Sequence, residues 1–157
     1  MKTMKLTTRS KMSGEGLALV IIVLAVVGGI LWYLYSTKAS TDRDARRYGH
    51  EVINRLAVKH DRALLDQDLA PQAKMENPPS QRDYLIQRFA QFGVPAQPIE
   101  IDDNVTFDSY FFSPHGFFTA HLNYPGQPVT LQVAISQGDT KWLIENITFT
   151  PGAAAPR

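Results

Sequence analysis

Hydrophobic and polar positions fall into three regimes along this chain. The first is an uninterrupted uncharged run, Gly16-LALVIIVLAVVGGILWYL-Tyr35. A helix rising about 1.5 Å per residue crosses a ~30 Å hydrocarbon core in about 20 residues. A lone segment in lipid has no other way to satisfy its backbone. Trp32, Tyr33 and Tyr35 gather at one end of the run, where amphipathic rings favour the headgroup layer. A single transmembrane helix over 16–35 is predicted. The run is longer than the ~7–15 residues of a cleaved signal's apolar core, and bulky aromatics crowd the place where cleavage would fall. Thr37-Lys38-Ala39 is nonetheless a passable cleavage site, so a removable signal remains the competing reading.

The second regime is helical. After a polar linker over 36–44, with Thr41 and Asp44 spaced as a capping box, apolar residues recur at three and four positions. Ala45, Tyr48, Val52, Ile53, Leu56, Ala57, His60, Ala63 and Leu64 form one stripe, which should end before Pro71. Asn77-Pro-Pro-Ser80 breaks the pattern. Ser80 and Asp83 then suggest a cap for a second helix through Phe92, closed by Gly93-Val-Pro95.

The third regime has period two. Ile99/Ile101, Val105/Phe107, Phe118/Ala120/Leu122/Tyr124 and Val129/Leu131/Val133/Ile135 alternate with polar residues. Pro125-Gly126-Gln127-Pro128 and Gln137-Gly138-Asp139-Thr140 supply turns. In the last segment Trp142 and Ile144 have one parity while Ile147 and Phe149 have the other, so a bulge near Glu145-Asn146 is needed to bring all four to one face. The predicted fold class is α+β: two helices packed on a curved antiparallel sheet of about four strands. The expected organisation is a basic tail (1–15), transmembrane helix (16–35), linker (36–44), external domain (45–151) and disordered tail (152–157).

Charge refines this picture. The 122 residues after Tyr35 carry 12 Lys and Arg against 14 Asp and Glu, while the N-terminal tail carries four bases, Lys2, Lys5, Arg9 and Lys11. The near-neutral domain has no electrostatic footprint for nucleic acid. Lys38, Arg43, Arg46 and Arg47 follow the span and balance the tail, so the charge bias alone does not orient it. A short tail before a long domain suits a signal anchor with the N-terminus in the cytoplasm and the domain outside, at a bacterial cytoplasmic membrane. Cysteine is absent, which removes disulfides, thiol nucleophiles and Cys-based metal sites.

The order of long helix, broken segment, short helix and meander, ending in Gly138-x-x-x-Trp142-x-Ile144-x-x-Ile147, resembles the nuclear transport factor 2-like (cystatin-like) superfamily over roughly Ala45 to Pro151. The resemblance implies a cone in which a concave sheet and a long helix enclose a pocket. It also implies functions from isomerase or dehydratase to non-catalytic scaffold.

Candidate chemistry is thin. His60 is the one histidine on the apolar stripe, beside Asp61 and close to Asp66 and Asp68; it is either a general base or a core-edge histidine. His50, His115 and His121 do not converge with it in the sequence, so no metal site is expected. His115 lies in a Ser-Pro-His-Gly turn. Asp102, Asp103 and Asp108 read as a solvated acidic turn. Asn104-Val-Thr106 and Asn146-Ile-Thr148 match the glycosylation acceptor pattern. No phosphate loop, nucleophile elbow or metalloprotease motif is present, and no cofactor is expected. Aromatic excess is the least expected feature. If Phe111 and Phe118 enter the core, alternation places Tyr110, Phe112 and Phe117 on the outer face as a surface for a protein partner or a second copy. An interaction or assembly domain, an apolar-ligand binder and a pocket enzyme using His60 or a nearby Asp are the three functional readings.

Overall fold

The structure, a computed structural model, describes residues 14–108 and 113–152. The chain divides into two units, residues 1–37 and 38–157. In the first, every described side chain from Gly16 to Leu31 is exposed, as are Trp32, Tyr33 and Tyr35. This helix is long and apolar enough to cross a membrane, and none of its apolar window is buried by protein.

Helix α1 is assigned over Gly14–Ala57. The segment 36–44, expected as a linker with a cap at Thr41, is therefore helical. Its polar residues stabilise the helix along its own surface: Arg43 Nε donates to the Ala39 carbonyl at 3.2 Å, and Asp42 and Asp44 pair with Arg46 and Arg47 at 3.0 and 3.1 Å.

The second unit is α+β. The face of α1 that carries Ala45, Gly49, Val52, Ile53, Leu56 and Ala57 is buried. After Ala57 the helix unwinds: the amides of Val58 and Lys59 both reach the Asn54 carbonyl, Asp61 N reaches the Arg55 carbonyl at 3.0 Å, and His60 takes φ 52°. Helix α2 (Arg62–Asp68) starts there, with Asp61 as its cap, accepting from Ala63 N at 2.9 Å. Helix α3 (Pro71–Glu76) follows, and Pro71 occupies its first turn, where a missing N–H costs nothing. The single helix expected to end before Pro71 is thus replaced by two, α1 and α2, and α3 starts at Pro71 itself. Helix α4 (Pro79–Phe92) is capped by Pro78 without a side-chain bond, so Ser80 is not its cap; Gly93 ends it at φ 83°, a conformation glycine adopts without strain.

Strands β1 (Glu100–Phe107), β2 (Pro114–Asn123), β3 (Pro128–Gln137) and β4 (Trp142–Pro151) form an open antiparallel meander in chain order. The expected bulge is present. Ala134 pairs with Asn146 and Ile135 with Ile144, so Glu145 is the extra residue, and Trp142, Ile144, Ile147 and Phe149 all pack on the core. Leu69 adds a short parallel bridge to Ile144, and Ala70 N donates to the Ile144 carbonyl at 2.8 Å.

One face of the sheet is covered. Phe118, Ala120, Leu122, Leu131, Val133, Ile135 and Ile144 are buried against α1, α2 and α4 in a single cluster. Phe89 meets Phe149 edge-on at 5.1 Å, and Phe92 lies between Phe149 and Tyr124 at 5.5 and 5.4 Å. The opposite face is uncovered by any described residue's helix, and it carries Thr, Asn, Gln and His in alternation.

Candidate functional site

The covered face has no catalytic arrangement among the described residues. Among the described residues, none of the buried ones is polar or charged. The space under the helices is lined by the protein's own apolar side chains.

His60, expected on the helical stripe, sits instead in the left-handed connection between α1 and α2. Its Nε2 is buried and finds no partner among the described residues. The neighbouring Asp61 is committed elsewhere: it caps α2 and takes the Arg55 guanidinium at 2.9 and 2.6 Å, which holds its carboxyl below the usual carboxylate range. Asp66 is ion-paired with Arg82, and Asp68 with Lys141 at 2.6 Å. No described acid is thus aligned with His60. Tyr48 has a hydroxyl in the same condition, buried without a hydrogen-bond partner among the described residues. Burial, then the nearby Asp68, push its pKa upward.

Of the three acids expected in a solvated turn, Asp102 and Asp108 are exposed and Asp103 is not. Asp103 shares a parity with Ile101 and Val105 and faces α1, where Arg46 Nη1 pairs with it and His50 Nε2 lies 3.3 Å away. Asp102 and Asp108 face the other way. His121 stands 3.5 Å from Asp102, and His115 lies between Asp108 at 3.0 Å and Glu145 at 3.7 Å. His115 therefore belongs to strand β2, half-buried, and not to an exposed turn. Among the described residues no three His, Asp or Glu side chains are placed to hold a metal ion.

The uncovered sheet face is the candidate interface. Phe117 lies near its centre and is 52% exposed. Asn104, Phe117, Ala134 and Asn146 form one cross-strand row; Asp102, Thr119, Gln132 and Thr148 form the next. Between β2, β3 and β4 these rows leave a depression of about 220 Å³, lined by Phe117, Thr119, Gln132, Ala134, Asn146 and Thr148. Tyr110 and Phe112, expected beside Phe117, lie outside the described residues. Both asparagines of the Asn-x-Thr patterns are exposed on this face. The row of carboxamides and hydroxyls was not singled out in the sequence. Alternation placed each residue outward, but only strand register shows which of them are neighbours.

A second hollow, about 380 Å³, opens between α2, α4 and β4. Leu65, Leu69, Leu85 and Ile147 line it together with Arg82, whose Nε donates to the Asn77 carbonyl at 3.1 Å. No family model, curated protein or solved structure matches this chain.

Proposed function

We propose that this protein is a single-pass, membrane-anchored interaction domain, an accessory or scaffold subunit of a bacterial envelope assembly. In this reading its N-terminus is cytoplasmic and its α+β domain lies outside the cytoplasmic membrane. One observation carries the proposal: the apolar part of α1 from Gly16 to Leu31 is exposed and one face of the sheet is uncovered by any described helix, and both remain to meet other molecules. The length of the apolar run and the three aromatic rings at its far end support an uncleaved anchor. Membership of the nuclear transport factor 2-like superfamily is part of the proposal, supported by helices preceding a four-strand meander.

The test is made on the intact protein in cells. It should remain in the membrane pellet after alkaline extraction with its N-terminal residues intact by mass spectrometry, and a C-terminal reporter should register as external. Release of a shortened protein would make 16–35 a signal sequence. A reporter active only in the cytoplasm would reverse the orientation.

The apolar-ligand reading has one observation in its favour, the 380 Å³ hollow with its leucine and isoleucine lining. Filling it with Leu85→Trp should abolish binding of a fluorescent fatty acid if that reading holds.

A further inference from the structure

The uncovered sheet face is divided by chemistry. His115 with Asp108 and Glu145 occupies one end, and His121 with Asp102 the other. The depression between them is lined by no ionisable side chain. None of the four strands contains a Lys or Arg, whereas Glu100, Asp102 and Glu145 are acidic. Phosphate, nucleic acid, sulfated chains and uronic acids therefore meet no cation here, only carboxylates that repel them.

The lining suits a different kind of molecule. Phe117 offers an exposed aromatic ring, Gln132 and Asn146 each present an amide with both donor and acceptor, and Thr119 and Thr148 add hydroxyls. Ala134 keeps the floor low. Among the described residues none of these four polar side chains is engaged in an internal hydrogen bond. A protein partner would have to match all four groups while covering them, because a polar group buried without a bond costs about 1–3 kcal/mol. The core of a protein interface is also more apolar than a single ring set among amides. A sugar ring meets both demands, since its C–H face stacks on an aromatic ring and its hydroxyls donate and accept around the rim.

We infer that the uncovered face of the sheet binds an uncharged saccharide chain, with one sugar ring stacked on Phe117 in the depression between β2, β3 and β4. This rests on the reading of the domain as external and names the partner of its interaction surface. It is tested on the full-length protein in lauryldimethylamine oxide, a detergent without a sugar headgroup. Cellohexaose, maltohexaose and the hexamer of N-acetylglucosamine are titrated calorimetrically. At least one should bind. Phe117→Ala should weaken it by about tenfold or more, the size of a lost ring-stacking contact, while Phe117→Trp keeps it and Gln132→Ala lowers it several-fold. Circular dichroism of each variant establishes that it is folded. Binding of none of the three, or unchanged binding by a folded Phe117→Ala protein, overturns the inference. Loss of a co-purified protein in that variant, without saccharide binding to wild type, also overturns it and leaves the membrane-anchored interaction reading standing. A cytoplasmic C-terminal reporter removes that reading instead, whatever the titration gives.

Discussion

Gly49 of α1 lies flat against the ring of Phe118 on β2. A Cβ built at Gly49 would fall 2.5 Å from both Cε atoms of that ring, closer than real carbon atoms come. Gly116 presses on the same ring from the sheet, where a Cβ would lie 2.6 Å from Cε2. Phe118 is buried between two glycines and fixes how closely helix and sheet approach. In a solvated helix Gly→Ala stabilises by about 1 kcal/mol. Here the added methyl overpacks the core, and Gly49→Ala should destabilise the domain by about 1–3 kcal/mol. Thermal unfolding should show a melting temperature several degrees lower. The double variant Gly49→Ala/Phe118→Leu should recover part of the loss, since contacting sites couple. A rise in melting temperature for the single variant would mean that α1 does not seat on Phe118.

His60 occupies a left-handed conformation that a non-glycine residue adopts at a cost of order 1 kcal/mol. His60→Gly removes that strain together with the unpartnered Nε2. We expect it to stabilise the domain by about 0.5–1 kcal/mol, seen as a higher denaturant midpoint with an unchanged slope. A catalytic histidine would be indifferent to this gain and sensitive to the loss of its ring. A lower midpoint would show that the imidazole contributes packing that outweighs the strain.

Tyr124 donates from its hydroxyl to the Ala57 carbonyl at 3.3 Å, tying the end of the sheet to the last turn of α1. Burial pushes its pKa up to about 12. Removing the hydroxyl leaves that carbonyl without its phenolic donor, so Tyr124→Phe should cost about 1 kcal/mol. In an alkaline absorbance titration of wild type, the phenolate of Tyr124 should form only well above the usual tyrosine range. Titration of all tyrosines together near pH 10 would contradict the buried geometry.

Asp61 supplies the pH dependence. The Arg55 pair, and then the α2 backbone amides, hold its carboxyl below the ordinary value in the folded protein. The unfolded chain therefore binds the proton more readily. The stabilisation is complete above about pH 4, the unfolded value, and is lost as pH falls through the lower folded value. Asp61→Asn should flatten the stability-versus-pH curve in that acid window and lower stability at pH 7. Equal acid slopes for variant and wild type would show that other carboxylates control acid unfolding.

The meander was legible because its strands alternate cleanly and its turns are rich in proline and glycine. The bulge was legible too: Trp142/Ile144 and Ile147/Phe149 reach one face only if a residue is skipped. The helical half was less so. Leu64 continues the stripe of α1 because α2 packs on the same core, so periodicity runs across a break that contains neither glycine nor proline. Pro71 reads as a stop, yet in the first turn of α3 it is a start. Asp103 looked solvated beside Asp102, although its parity with Ile101 and Val105 turns it toward Arg46. For the candidate surface, Phe117 could be placed outward by alternation, but its neighbours Asn146 and Gln132 come from strands that only register brings alongside.

The meander also determines when during synthesis the domain becomes safe. Each strand pairs only with its neighbours in sequence, so the sheet closes hairpin by hairpin without long loops to gather. The seal comes last, because Phe149, which meets Phe89 and Phe92, and Ile144, which receives Ala70, both belong to β4. Until those residues leave the ribosome, β3 is a bare ten-residue edge whose Val129, Leu131, Val133 and Ile135 have lost their neighbour. Such an edge is a template for pairing with another chain. A frameshift or stop just before Trp142 would therefore release a stickier product than one placed much earlier, a sheet lacking only its last strand.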